Sequence, residues 1–489
     1  MADERVGPAQ RGRGRRAYVA VDIGASSGRV ILGRVGERAE LRVVHRFPNG
    51  VEEIDGALRW DIERLHGEVL RGLAAAGRAA AAAGERIASI GIDTWAVDYG
   101  LHSAGRLTAL PHAYRDPRTE DAVSAVHAVV GPEELYAVGG LQFLPFNTVY
   151  QLAAEPTLEG LTALLIPDLL AYRLAGAERT EVTNASTTGL LDAATGTFSR
   201  ALMDRLGLPG NLFPPLIEPG EAYGGLLAGV AAETGLPEGT PVIAVGSHDT
   251  ASAVAAVPAD PAKGDFAYVS SGTWSLVGVE LDAPVATAES RAANFTNERG
   301  VDSTIRFLRN VGGLWLLQEC LRQWQADRVD VPALPELLDA AAALPAGGPR
   351  IDVDDDAFIA PGGMPGRIRR AAPGCGARLG DPAGIVRCIM DSLADGYART
   401  LRDAGALTGV RPAVVHIVGG GSQNALLCQL TSDATGLPVV AGPVEATALG
   451  NLLVQARADG AVSGSLADLR RIVAGSTALV RYAPRVTVG

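Results

Sequence analysis

The tripeptide Ala-Tyr-Val stands at residues 17–19 and again at 267–269, 250 positions later. Each time it leads into a short turn of small residues and a second β-rich run. The first unit reads AYVAVDIGASSGRVILGRV and the second FAYVSSGTWSLVGVE. Each has the form of a β-hairpin, two extended runs joined by residues that tolerate a tight turn. A three-residue match is thin evidence of a repeat taken alone. Its placement matters more, because the hairpins sit near the starts of two similar halves. A chain of 489 residues is also too long for one hydrophobic core. The spacing therefore predicts a duplicated fold with a cleft between the halves and a boundary near residue 246.

Between the hairpins, WDIERLHGEVLRGLAAAGRAAAAAG places Ile62, Leu65, Val69 and Leu73 on one helical face. Asp61 is positioned to cap it and Gly84 to end it. ASIGIDTW reads as a buried strand ending in polar residues, and strands and helices alternate onward, the pattern of a layered α/β fold. The Pro- and Gly-rich stretch 345–384 is expected to be a long loop. Residues 1–16 are expected to form a disordered tail. Arg15 and Arg16 precede an apolar run that Asp22 interrupts, which argues against an export signal.

Composition narrows the function classes. A net charge of -12 repels nucleic acid and anionic membrane, so a small-molecule substrate is expected, with no nucleic acid and no membrane as partner. Lys263 is the sole lysine, and it stands in PAKGDF. That removes the lysine of a GxxxxGK[ST] phosphate loop and of a protein kinase. The four cysteines, Cys320, Cys375, Cys388 and Cys428, form no CxxC pair, which disfavours zinc and fits a reducing cytoplasm. A monomer or weak homodimer is expected.

Five stretches could carry chemistry. The turn Ala25, Ser26, Ser27, Gly28 and Arg29 offers backbone N–H groups, two hydroxyls and a guanidinium fork, all suited to phosphate. Asp22, ending the preceding strand, offers oxygen to a magnesium ion. An ordinary hairpin with a surface arginine is the plainer reading. In PVIAVGSHDTASAV, Asp249 opens a helix at a strand's carboxyl end; it is a helix cap, or a general base that takes a proton from a sugar hydroxyl attacking phosphorus. Consecutive Ser247, His248 and Asp249 diverge and do not make a hydrolase triad. Gly419, Gly420 and Gly421 join a buried strand to a helix, either as a nucleotide loop or as a bare turn. Asp93, Trp95 and Asp98 in GIDTWAVDYG, and Tyr114, Arg115 and Asp116 in AYRD, pair carboxylates with aromatic rings, as sugar recognition needs. Arg115 and Asp116 are equally a structural pair.

With VDIGASSGRV, GIDTWAVDYG, AYRDPRT, QFLPFNTVYQL, SHDTASAV, SSGTWSLVG, HIVGGGSQN and GPVEATALGN in order along residues 17–480, the chain resembles the FGGY sugar kinases. HRFPNG and LRNVGGLWLLQ place it nearest the branch that phosphorylates L-rhamnulose. The resemblance implies two actin-like, ribonuclease-H-like α/β domains, 17–246 for sugar and 247–485 for nucleotide, with ATP and Mg2+ bound in the cleft. It implies that Ala25 to Arg29 form the first phosphate hairpin and that Asp22 is associated with magnesium. Asp249 becomes the proton acceptor, flanked by His248 and Thr250 in the sugar pocket, with Asn310 as a sugar contact. Thr273 falls on the second phosphate hairpin, Gln318 on a further ATP contact and Gly420 on the nucleotide loop. Ala96 stands where relatives carry glycine against the sugar, which bears on the exact ketose. The rivals are a kinase for L-fuculose or L-xylulose, a sugar-responsive regulator and an actin-like ATPase.

Overall fold

The computed structural model describes residues 15–374 and 378–485. Two mixed sheets organise it. The first has six strands in the order β5-β6-β4-β1-β2-β3. They are β1 (Arg15–Ile23), β2 (Ser27–Val35), β3 (Ala39–Pro48), β4 (Glu85–Thr94), β5 (Ala222–Gly225) and β6 (Pro241–Ile243). The second has seven in the order β9-β10-β8-β7-β11-β12-β13. They are β7 (Phe266–Ser271), β8 (Trp274–Leu281), β9 (Thr296–Arg299), β10 (Ile305–Gly312), β11 (Val414–Val418), β12 (Val439–Ala441) and β13 (Val480–Tyr482).

The two sheets repeat one plan. In each, the hairpin and the next strand are antiparallel (β1-β2-β3 and β7-β8-β10), and two strands join parallel on the other side (β4 then β6, and β11 then β12). An antiparallel strand closes that edge, β5 in the first sheet and β13 in the second. The repeated Ala-Tyr-Val occupies equivalent places. Tyr18 pairs across its hairpin with Gly33, and Tyr268 with Gly278. β9 alone lies outside the shared plan, an added edge strand beyond β10.

Helix α1 (Ile62–Ala82) forms as its pattern predicts. Asp61 accepts a bond from the Arg64 amide at 2.9 Å, and Ile62, Leu65, Val69 and Leu73 are buried against the first sheet. Gly84 adopts φ of 68°, the left-handed turn that ends the helix cleanly. Helices α2 (Asp249–Ala255), α3 (Trp315–Ala326), α4 (Met364–Ala371), α5 (Pro382–Thr408), α6 (Ala425–Thr435) and α7 (Ala446–Ala458) follow. α2 and α7 pack so closely between the sheets that a Cβ on Gly450 would lie 1.8 Å from the Ser252 carbonyl oxygen. The small residues of VEATALGNLL serve that approach.

Two expectations are corrected. The stretch 345–384 is not one long loop, because it contains α4, whose Met364 and Ile368 are fully buried in the second core, and the start of α5. Pattern reading lost this helix among its flanking glycines and prolines. The expected tail is also shorter than 1–16. Residues 1–14 lie outside the described residues, but Arg15 and Arg16 already belong to β1, paired with Glu85 and Arg86, and Arg16 reaches Asp459 at 3.0 Å.

Candidate active site

The two hairpins face each other across a cavity of about 310 Å³, and most of the residues singled out from the sequence converge on it. From the first sheet come Asp22, Ala25, Ser26, Ser27, Arg29, Trp95 and Ala96. His248, Asp249 and Thr250 enter at the start of α2. From the second sheet and its helices come Thr273, Asn310, Gln318 and Gly420. Gly420 also lines a larger neighbouring cavity in the second lobe, beside Leu314, Leu338, Gln423 and Asn424.

Two expected residues do not line the cavity. Asp93 is fully buried behind Asp22, its register partner on β1, and accepts a bond of 2.6 Å from the Asn451 side chain of α7. It supports the wall rather than meeting a sugar. Gly28 is covered by the Phe47 ring, which a Cβ there would approach to 2.2 Å, so this glycine exists to let β3 pack. Asp98 also lies behind the wall. It accepts from Trp60 Nε1 at 2.6 Å and Trp95 Nε1 at 2.9 Å, holding the Trp95 ring in place. Arg115 and Asp116 do not pair with each other. Arg115 lies over the Trp315 ring and bonds the Ile359 carbonyl, whereas Asp116 accepts from the Leu58 and Arg118 amides.

The electrostatics follow from burial. Burial raises the Asp22 carboxyl to about 6; Arg29 opposes the shift and the charge of Asp249 adds to it. Asp93 is pushed well above the ordinary carboxylate range, by burial first and then by Asp22. Arg29 answers this excess of negative charge. Its Nε lies 3.0 Å from Asp22 and its Nη1 2.7 Å from Glu445, so one guanidinium bridges the two lobes.

Asp249 is aimed by its neighbours. The buried Glu181 accepts from the amide and hydroxyl of Ser247 at 3.1 and 2.6 Å, and from Thr183 and the Asn184 amide. These bonds consume the Ser247 hydroxyl and pin the turn into α2. The Thr250 hydroxyl lies 3.1 Å from Asp249 Oδ1. His248 Nδ1 stands 3.2 Å from Glu298, which Arg306 Nη1 holds at 2.9 Å. Burial alone would raise the Glu298 carboxyl, but Arg306 and His248 outweigh it and hold it below its ordinary value.

Sequence reasoning missed Glu181, Gln142, Glu298 and Arg306. Gln142 Oε1 accepts both the backbone and side-chain N–H groups of Asn310, at 2.8 and 2.9 Å. With its amide N–H so engaged, Asn310 has its Oδ1 left to accept. None of these four sits in a Gly-rich or Asp-rich signature, and their roles at Ser247, His248 and Asn310 arise from contacts over 50 to 168 positions.

Comparison with known proteins accounts for this architecture. The sequence model of the FGGY family of carbohydrate kinases, N-terminal domain, matches residues 17–256, and that of the C-terminal domain matches residues 267–458. The chain belongs to the FGGY carbohydrate kinases. A protein named rhamnulokinase from Bacteroides thetaiotaomicron is 43% identical over 480 residues, covering 96% of each chain. Another of that name from Klebsiella pneumoniae is 42% identical over 482 residues, covering 96% of this chain and 95% of its own. Among solved structures, a ligand-bound xylulose kinase from Lactobacillus acidophilus superposes with a TM-score of 0.73 at 17% identity, over 96% of this chain and 94% of its own. A gluconate kinase from the same organism gives 0.74 at 16% identity with the same coverage. These neighbours share the fold. This FGGY chain is thus a sugar kinase of two actin-like, ribonuclease-H-like domains, and membership implies ATP as its phosphoryl donor. No helix among the described residues is long and apolar enough to cross a membrane.

Proposed function

We propose that the chain transfers the γ-phosphoryl group of ATP to O1 of L-rhamnulose, giving L-rhamnulose 1-phosphate and ADP. The observation that carries this reading is the meeting of Asp249 with both hairpins in one cavity. Asp249 takes the proton of the attacking hydroxyl as general base. The backbone and hydroxyls of Ala25 to Ser27, together with Arg29 and Thr273, receive the phosphates, and cleft closure keeps water from competing with the sugar. The base of the nucleotide falls in the neighbouring cavity beyond Gly420, which lines both, with Gln318 on the side of the first. His248, Thr250, Asn310 and Trp95 surround the sugar, and Leu144 and Phe146 give the cavity an apolar side for the methyl group of a 6-deoxy ketose. Ala96 adds a methyl group to that wall.

Asp22 is the residue that would hold a magnesium ion. Among the described residues no three His, Cys, Asp or Glu side chains gather as a metal cage. That is the ordinary situation for magnesium, which takes one or two carboxylates and completes its shell with water and phosphate. Asp22 fits this role, since it and Asp93 are crowded, buried carboxylates that a cation would relieve, and Asp93 Oδ1 has no hydrogen-bond partner. When bound, the ion would neutralise charge on the phosphates.

The proposed division at residue 246 is supported by β6, the last strand of the first sheet along the chain, ending at Ile243 and α2 opening at Asp249. Buried Cys320 and Cys428, free of disulfides, support a cytoplasmic setting. The choice of ketose is supported by the names of the relatives at 42 and 43% identity. A panel of L-rhamnulose, L-fuculose, L-xylulose and D-xylulose assayed with ATP, with the phosphate position read by NMR, tests it. L-rhamnulose should give the highest kcat/KM and a 1-phosphate. A higher kcat/KM for another ketose, or phosphate at another position, overturns the reading.

A further inference from the structure

We propose that Thr296 and Glu298, on the added edge strand β9, bind hydroxyl groups of the ketose and help set which sugar is accepted. Neither stands in the motifs that marked the chain as a sugar kinase. The proposal rests on the reading of the cavity as a ketose site and extends it to a wall that the first lobe does not supply.

Strand geometry brings the two together. Side chains at i and i+2 share a face, so Thr296 and Glu298 point one way and Asn297 the other. Asn297 indeed bonds away from the cavity, to the Gly140 carbonyl at 3.1 Å and the Val285 amide at 2.7 Å. Thr296 pairs with Leu308 and Glu298 with Arg306, so their side chains lie on the same sheet face as Asn310, two residues on from Leu308. Thr296, Glu298 and Asn310 all line the cavity.

Both residues carry unused hydrogen-bonding capacity. Thr296 is 0% exposed and its hydroxyl has no partner. A buried hydroxyl left unpaired costs free energy, so native proteins seldom leave one without a ligand or an ordered water. Glu298 is 3% exposed; its Oε2 lies 3.2 Å from His248 Nδ1 and 2.9 Å from Arg306 Nη1 as ion pairs, yet accepts no hydrogen bond of good geometry. Among the described residues nothing bonds Oε1. The ion pairs fix the carboxylate in place and keep it an acceptor, and the residue lines the cavity. Beside it, the Thr296 hydroxyl can donate or accept. A vicinal diol, one hydroxyl donating to each acceptor, satisfies both groups. An analogue lacking one of those hydroxyls strands a buried polar atom and is rejected.

The test is steady-state kinetics of the full chain with L-rhamnulose and ATP for wild type, T296V, T296S and E298Q, with calorimetric sugar binding in the absence of nucleotide. T296V keeps the side-chain shape and should raise the sugar KM roughly fivefold or more, with kcat and the ATP KM within about twofold of wild type. T296S should restore most of the loss. E298Q removes a charged acceptor and should raise the sugar KM roughly tenfold or more. E298Q also unbalances Arg306, so its fold is checked by circular dichroism, and T296V stands independently of that. Sugar KM values within twofold of wild type for T296V, or a T296V loss that falls on kcat with unchanged sugar binding, overturn the proposal. Failure of the underlying reading looks different: wild type then prefers another ketose or none. The comparison of variant with wild type is made on whichever ketose wild type prefers, and a chain that phosphorylates none overturns both.

Discussion

The two lobes are the same sheet used for different work. Each has its hairpin, its antiparallel third strand and its parallel pair, with a tyrosine opposite a glycine at the same place. The first hairpin carries Asp22 and Arg29, the second Ser270, Ser271 and Thr273. One hairpin therefore brings charge to the cavity and the other only hydroxyls and amides. The second sheet gains β9, which brings Glu298 against His248 at the start of α2. The comparison teaches that duplication fixed the cradle while departures from it supplied the chemistry. Buried carboxylates of the first lobe, Asp22, Asp93 and Asp98, are raised because burial prevails, whereas Glu298 is lowered because Arg306 sits beside it.

The sharpest way to break this comparison is at the junction of the lobes. Asp249→Asn should cut kcat about 100-fold or more while leaving the affinity for a nonhydrolysable ATP analogue within a few-fold, as measured by calorimetry. Thr273→Val, on the uncharged hairpin, should instead raise the ATP KM about fivefold and spare kcat. A turnover that survives the loss of Asp249 removes the assignment of the base.

A smaller effect separates the buried carboxylates. Burial lifts Asp98 from an ordinary value near 3.8 to about 6, against the bonds from Gln151, Trp60 and Trp95. For an acid whose folded value is raised, the native state holds the proton longer than the unfolded chain. The group's stabilisation is then complete below pH about 4 and is lost as pH rises through about 6. The loss should reach roughly 2 to 3 kcal/mol by pH 7. Urea denaturation of wild type and Asp98→Asn from pH 4 to 7 measures it as the change in their stability difference. A difference that stays constant with pH refutes the sign.

Next come the equivalent glycines. A Cβ at Gly278 meets the Phe307 carbonyl oxygen at 2.2 Å, whereas at Gly33 it meets the Leu452 side chain at 2.3 Å. Backbone cannot step aside as a leucine can, so Gly278→Ala should cost about 2 to 3 kcal/mol and Gly33→Ala about 1 kcal/mol in denaturant unfolding. The equivalent tyrosines sharpen the contrast least. Tyr18 donates to Asp459 at 2.9 Å, and the buried Tyr268 hydroxyl has no partner. Tyr18→Phe should lose about 1 kcal/mol, and Tyr268→Phe should be neutral or slightly stabilising by the same measurement.

The sequence by itself determined the elements whose signals are local. Alternating apolar residues and small turns gave both hairpins, the 3.6-residue period gave α1 with its Asp61 cap, and their repetition announced the cleft and the residues at its hairpin tips. It also placed Asp249 correctly at the mouth of a helix, because a strand followed by a polar turn and an alanine-rich run admits few other arrangements. Only the tertiary structure decided which acids face the cavity. Asp22 and Asp93 are adjacent on parallel strands, and the packing of α7 turned Asp93 into support, while Phe47 closed over Gly28. It likewise decided that Glu298, Arg306 and Gln142 converge on His248 and Asn310. The physical reason is that strand and helix periods are written over a few residues. Burial, and with it the charge state of a carboxylate, depends on what another part of the chain lays across it.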